Sequence, residues 1–218
     1  MPTQYEMLTT EDVVTTRTVL HESIPLTGTI VSGTYSDENI KNYTHGQFQS
    51  VYDYPFLSSS SNHIFDLTMG YPSTSDSSGS ASVLNAKKIN MYNQMAQVML
   101  GYDTTGQGLI EKFEASLDFD NSGIMNEVFF MNFSRLLTKD QIKKGTFSWT
   151  VGTGAWSGLG GQPFTVLKVL TDTNASDTGG TANALGGEYG VLFDASSNAH
   201  GLIFYQAGIA VISGSVWP

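Results

Sequence analysis

The stretch from His200 to Pro218 reads HGLIFYQAGIAVISGSVWP. Leu202, Ile203, Phe204 and Tyr205 make one unbroken apolar run, and Ile209 to Ile212 make a second. A short apolar run without a period of two is the pattern of a strand covered on both faces. Only Gln206, Ala207 and Gly208 separate the runs, so a hairpin or one bulged strand is predicted. Left bare, such strands would be an aggregation hazard. One face is therefore expected on the chain's own core and the other against a neighbour. Leu202, Phe204, Ile209, Val211 and Trp217 are the expected contact residues, with Trp217 as anchor, because a buried tryptophan often dominates an interface.

Further strands are legible elsewhere in the chain. HIFDLTMGY (63–71) alternates Phe65, Leu67 and Met69 against Ile64, Asp66 and Thr68, the period of a strand. EVFFMNFSRLL (127–137), TFSWTV (146–151) and EYGVLFD (188–194) read as further strands. The clearest helix spans residues 85–100, with Asn85 as cap, a stripe of Ile89, Tyr92, Ala96 and Met99, and Gly101 at the left-handed stop. TKDQIKKG (138–145) carries a capping box, Thr138 with Gln141, and predicts a second, short helix. PSTSDSSGSASV (72–83) reads as a mobile loop, and GTGAWSGLGG and TDTNASDTGGTANALGG as long glycine loops.

Residues 1–60 have a different texture. TTEDVVTTRTVLHESIP suggests a short helix ended before Pro25. Beyond it, apolar residues such as Ile30, Val31, Tyr43, Phe48 and Tyr52 never settle into a period. An extended N-terminal arm (1–60) lying on other subunits is expected, followed by a β-rich core domain (61–218). The fold class is α+β, mostly β, with antiparallel sheets and one main helix.

Of the 218 residues only 14% are charged, against about 25% in an average soluble domain. Aromatics stay at 11%, which is not the profile of disorder. Low charge on a β-rich chain suits a surface largely covered by neighbours. The net charge of −10 argues against nucleic acid and anionic membranes as partners. No cysteine is present, which excludes disulfides and thiolate metal sites. The opening MPTQYEMLTTEDVV is acidic and does not read as a signal peptide.

Motifs with chemical meaning are few. In DFDNSGIMNEVF, Asp118, Asp120, Ser122 and Gly123 occupy the first positions of a calcium loop. Position twelve, where a bidentate glutamate must close the site, is Phe129, so a turn between strands is the better reading. His21, His45, His63 and His200 are scattered without ligand spacing. No nucleophile elbow or metalloprotease motif occurs. Met91, Met95 and Met99 read first as adaptable core filling, and second as a methionine-lined contact for a partner.

Five stretches together carry a likeness: VVTTRTVLHESIPLTGTIVSGTY, NHIFDLTMGY, KKINMYNQMAQVMLGYD, FFMNFSRLLTKDQIKKGTF and GLIFYQAGIAVISGSV. Spanning nearly the whole chain, they resemble a family of virion structural proteins in contractile-tailed phages of marine and cyanobacterial hosts. The resemblance implies a building block of the tail, baseplate or neck, with the capsid exterior as the alternative. It implies assembly in the host cytoplasm, partners that are other virion proteins and copies of itself, no cofactor and no catalysis. A carbohydrate-binding module, with Trp149, Trp156 and Trp217 stacking on sugars, is the competing expectation.

Overall fold

In the computed structural model the described residues are 37–79, 82–103, 108–115, 123–138, 140–153, 164–175 and 182–217. They build one antiparallel sheet of ten strands and one long helix. The strands are β1 (Ile40–Asn42), β2 (Phe48–Tyr52), β3 (His63–Gly70), β4 (Val128–Phe133) and β5 (Ser148–Gly152). After them come β6 (Leu167–Thr171), β7 (Ala182–Ala184), β8 (Gly187–Phe193), β9 (Ala199–Phe204) and β10 (Ile209–Ser213). The order across the sheet is β1-β2-β3-β4-β10-β9-β8-β6-β5, and β7 pairs with β8 off this path. The fold is mostly β with one main helix, as the strand and helix patterns predict.

The C-terminal run lies at the centre. β9 and β10 form a hairpin in which Ile209 faces Phe204 and Val211 faces Leu202, and β4 flanks β10 on its other side. Side chains alternate between two buried faces. Leu202, Phe204 and Val211 join Tyr92, Ala96 and Met99 of the helix, with Phe113 and Phe130. Ile203, Tyr205, Ala210 and Ile212 join Phe133, Phe147, Val151, Leu170 and Val216. Fully burying a side chain of this size stabilises by about 1.5–3 kcal/mol.

The helix α1 (Val83–Met99) covers the first face. It starts two residues before the expected Asn85, because Ser82 is the cap and its hydroxyl accepts from the Asn85 amide. Tyr92, Ala96 and Met99 are its buried residues, and Gly101 (φ 90°) closes it in the left-handed conformation expected there. Close approach to β3 depends on Gly70, where a Cβ would lie 2.9 Å from the Tyr92 backbone nitrogen.

The second face is covered by the β5–β6 ribbon. It is paired along its whole length, Ser148 with Thr171 through Gly152 with Leu167, yet it joins β8 through a single pair, Thr171 with Phe193. Leu170 and Val151 pack into the second-face core, so the ribbon folds over the sheet rather than extending it. The Trp217 indole N–H donates to the Gly152 carbonyl (3.0 Å) and its ring packs on Phe129 at 4.9 Å.

Several expectations need correction. Residues 40–52, expected in the N-terminal arm, are β1 and β2 of the same sheet, with Phe48 opposite Thr68 and Val51 opposite Phe65. The expected helix before Pro25 lies outside the described residues. The short helix predicted over 138–145 forms earlier, as α2 (Arg135–Thr138). Beyond Thr138 tertiary partners take the amides instead: Ile142 N–H donates to the Tyr205 carbonyl, and Gly145 and Phe147 N–H to the Asp172 carboxylate. The serine-rich segment 72–79, read as mobile, is pinned by Ser75 capping a turn over Asp76–Ser78 and by Ser78 donating to the Ser73 and Ser75 carbonyls.

Candidate functional site

A groove of about 620 Å³ runs along the C-terminal half of α1, between the helix, the β7–β8 turn and the β9–β10 turn. Each wall has a local cause. Helical spacing places Met91, Met95 and Val98 on one flank of α1, beside the stripe that packs on the sheet. The tight turn at Gly186, whose N–H donates to the Met99 carbonyl (2.7 Å), brings Leu185 opposite them. Gln206 and Ile209 form the floor, and Arg135 holds the Gln206 carbonyl from outside (2.8 Å).

No described residue lining the groove is charged, although the chain carries a net charge of −10. Val98 is 68% exposed and Leu185 73% exposed at its rim. Met91 and Met95 are half-buried and Met99 fully buried. Depletion of charge with methionine enriched is the composition of an interface core rather than of ordinary surface. The arrangement can bind apolar side chains, and it holds no acid, base or nucleophile.

The expected contact residues divide. Leu202, Phe204 and Val211 are completely buried within the chain, so α1 and not a neighbour covers that face. Ile209 is half-buried and does reach the groove. Trp217 lies on the opposite face, half-buried against the ribbon and Phe129. Trp149 is likewise partly buried against the second-face core, and Trp156 lies outside the described residues. Val98 and Leu185 are the groove residues that pattern reading misses. The methionine stripe was the signal that could have found them.

Polar clusters elsewhere serve the fold. Ser50 and His63 both bond Asp66 Oδ1, which separates hydroxyl from imidazole. The imidazole cannot draw the serine proton directly in that order. Asp194 accepts from the Ser196 and Asn198 amides and pairs with His200. These bonds, led by the Asn198 amide, hold its carboxyl well below the usual range. Of the calcium-like stretch, residues 116–122 lie outside the described residues. Its flanks pair as a narrow bridge, Glu114 with Ile124, and Phe129 sits in β4. Among the described residues no three His, Asp or Glu side chains converge on a metal-sized site, and no helix is long and apolar enough to cross a membrane. Comparison with protein families, with curated proteins and with solved structures found no match.

Proposed function

We propose that this chain is a packing subunit of a phage particle, in the tail, baseplate or neck, acting by burial of apolar surface and not by chemistry. The observation that supports assembly is the uncharged groove rimmed by exposed Val98 and Leu185. An apolar surface of this kind, on a chain with so few charges, is costly to leave in water and is relieved by a partner. The phage setting is supported by the resemblance of the five stretches quoted above. The partners on this reading are copies of the chain and other virion proteins, without nucleic acid or membrane.

Mass spectrometry and cryo-EM of the purified particle whose genome encodes the chain are the direct test. Sedimentation velocity of the isolated protein adds a second. Val98→Asp with Leu185→Asp should leave circular dichroism unchanged, because both side chains are exposed, and should weaken association. A chain missing from the particle and monomeric at every soluble concentration would sink the proposal.

A further inference from the structure

We infer that the free edge of β5, with the half-covered floor of β3 beside it, accepts an extended segment of a partner protein as an added strand, apolar at every second residue. The inference concerns a face other than the groove and does not depend on the phage setting.

Backbone direction is the first argument. In an antiparallel ladder, alternate residues turn both N–H and C=O toward the same neighbour. Thr153 N–H donates to the Val166 carbonyl, and Asp172 N–H to the Phe147 carbonyl. Both pairs continue the β5–β6 register, so the odd-numbered residues of β5 face β6. Ser148, Thr150 and Gly152 therefore face outward, and the Gly152 carbonyl does so by accepting the Trp217 indole N–H. The outward groups of Ser148 and Thr150 have no partner among the described residues.

The second argument is that this edge is unguarded. Sheets blunt their edges with lysine, proline, a bulge or a very short strand. β1, at the other end of the sheet, is three residues long and carries Lys41. β5 is five residues long, uncharged, free of proline and paired in unbroken register. Such an edge is a template for another strand, held by main-chain hydrogen bonds.

What lies beneath selects the kind of strand. β6 is tied to β8 at Thr171. On the other side, Phe147 packs on Phe133 of β4 (5.9 Å), and Trp217, bonded to Gly152, packs on Phe129 of β4. β5 thus lies over β4 with its free edge toward β3. There Phe65 and Leu67 are only half-buried against the second-face core. A strand added to β5 sets every second side chain on them, which calls for apolar residues at those positions. The floor continues through β2 and β1, so a second copy's β5, which brings its own sheet beneath it, does not fit alongside. A single extended segment does.

The test uses the full chain and an acetylated, amidated peptide of alternating threonine and valine, with lysine at each end for solubility. Hydrogen exchange read by NMR should find the Ser148 and Thr150 amides fast in the free protein and slowed at least about tenfold with peptide. Thr150→Pro removes an outward donor without touching a bond to β6, and should weaken the peptide about tenfold. Protected Trp149 and Val151 amides would show that the variant is folded; Ser148→Pro, at the strand's first residue, serves if it is not. Slow exchange at Ser148 and Thr150 in the free protein would mean that the chain covers its own edge, and would overturn the inference. So would binding that leaves these amides fast or survives the proline, and so would no binding up to the solubility limit of the peptide.

Discussion

The Tyr205 hydroxyl donates to Asp172 Oδ2 at 3.0 Å, joining the end of β9 to the end of β6 in a place where neither residue touches water. The same carboxylate accepts the Gly145 and Phe147 amides, each at 2.8 Å. Asp172 therefore ties together the β5–β6 ribbon, the segment after α2 and the central hairpin.

Tyr205→Phe removes one donor from a buried acceptor and should cost about 1–2 kcal/mol. Burial pushes the Asp172 carboxyl above its ordinary value, against the pull of the hydrogen bonds it accepts. A carboxyl raised in this way adds its stability in full below the unfolded pKa and loses it as pH rises through the folded value. The lost hydroxyl favoured the ionised form, so the deficit of Tyr205→Phe should be larger at pH 7 than below pH 4. Urea denaturation at both values checks this, and an equal deficit at both would mean that the carboxyl does not titrate in that interval.

Trp217→Ala should weaken the fold itself by about 2 kcal/mol, less than the roughly 3–5 kcal/mol of a fully buried ring. The indole loses its bond to Gly152 and its packing on Phe129. Hydrogen exchange should accelerate first in Ser148–Gly152. Unchanged stability with impaired assembly would return Trp217 to the interface role that its sequence position suggests.

Gly70→Ala drives a Cβ to 2.9 Å from the Tyr92 nitrogen and 3.1 Å from the Lys88 carbonyl oxygen. Backbone cannot swing away as a side chain can, so α1 must lift from β3 at a cost of about 1–3 kcal/mol. Thermal unfolding followed by circular dichroism measures it. A melting point equal to that of the parent would show that the helix is free to slide.

Calcium at micromolar concentration should not bind. Phe129 holds the position that should close the loop and packs instead on Trp217. Isothermal titration that shows micromolar affinity, lost in Asp120→Ala, would contradict the turn reading of residues 118–123.

Much of this architecture was legible in short-range pattern. β3, β4, β8, β9 and β10 stand out because their alternation or unbroken runs report how many of their faces are buried. α1 was legible from its stripe and from Gly101, since few other residues sit comfortably at φ 90°. The helix cap was misplaced by three positions because Ser82 and Asn85 are both competent caps, and local sequence cannot rank them. β1, β2 and β7 were missed. They are three to five residues long, too short for a period, and their pairing comes from neighbours distant in sequence.

What the sequence alone determined is that Leu202–Tyr205 and Ile209–Ile212 had to be covered on two faces, because burial is written into composition. What covers them was decided by tertiary structure. α1 closes one face and the β5–β6 ribbon the other, leaving only Ile209 of the five expected contact residues at the groove. The groove itself depends on Gly186 bringing Leu185 beside Val98 from 87 positions along the chain. Periodicity reports which side of an element is apolar; only the packed chain reports which apolar sides remain without a partner.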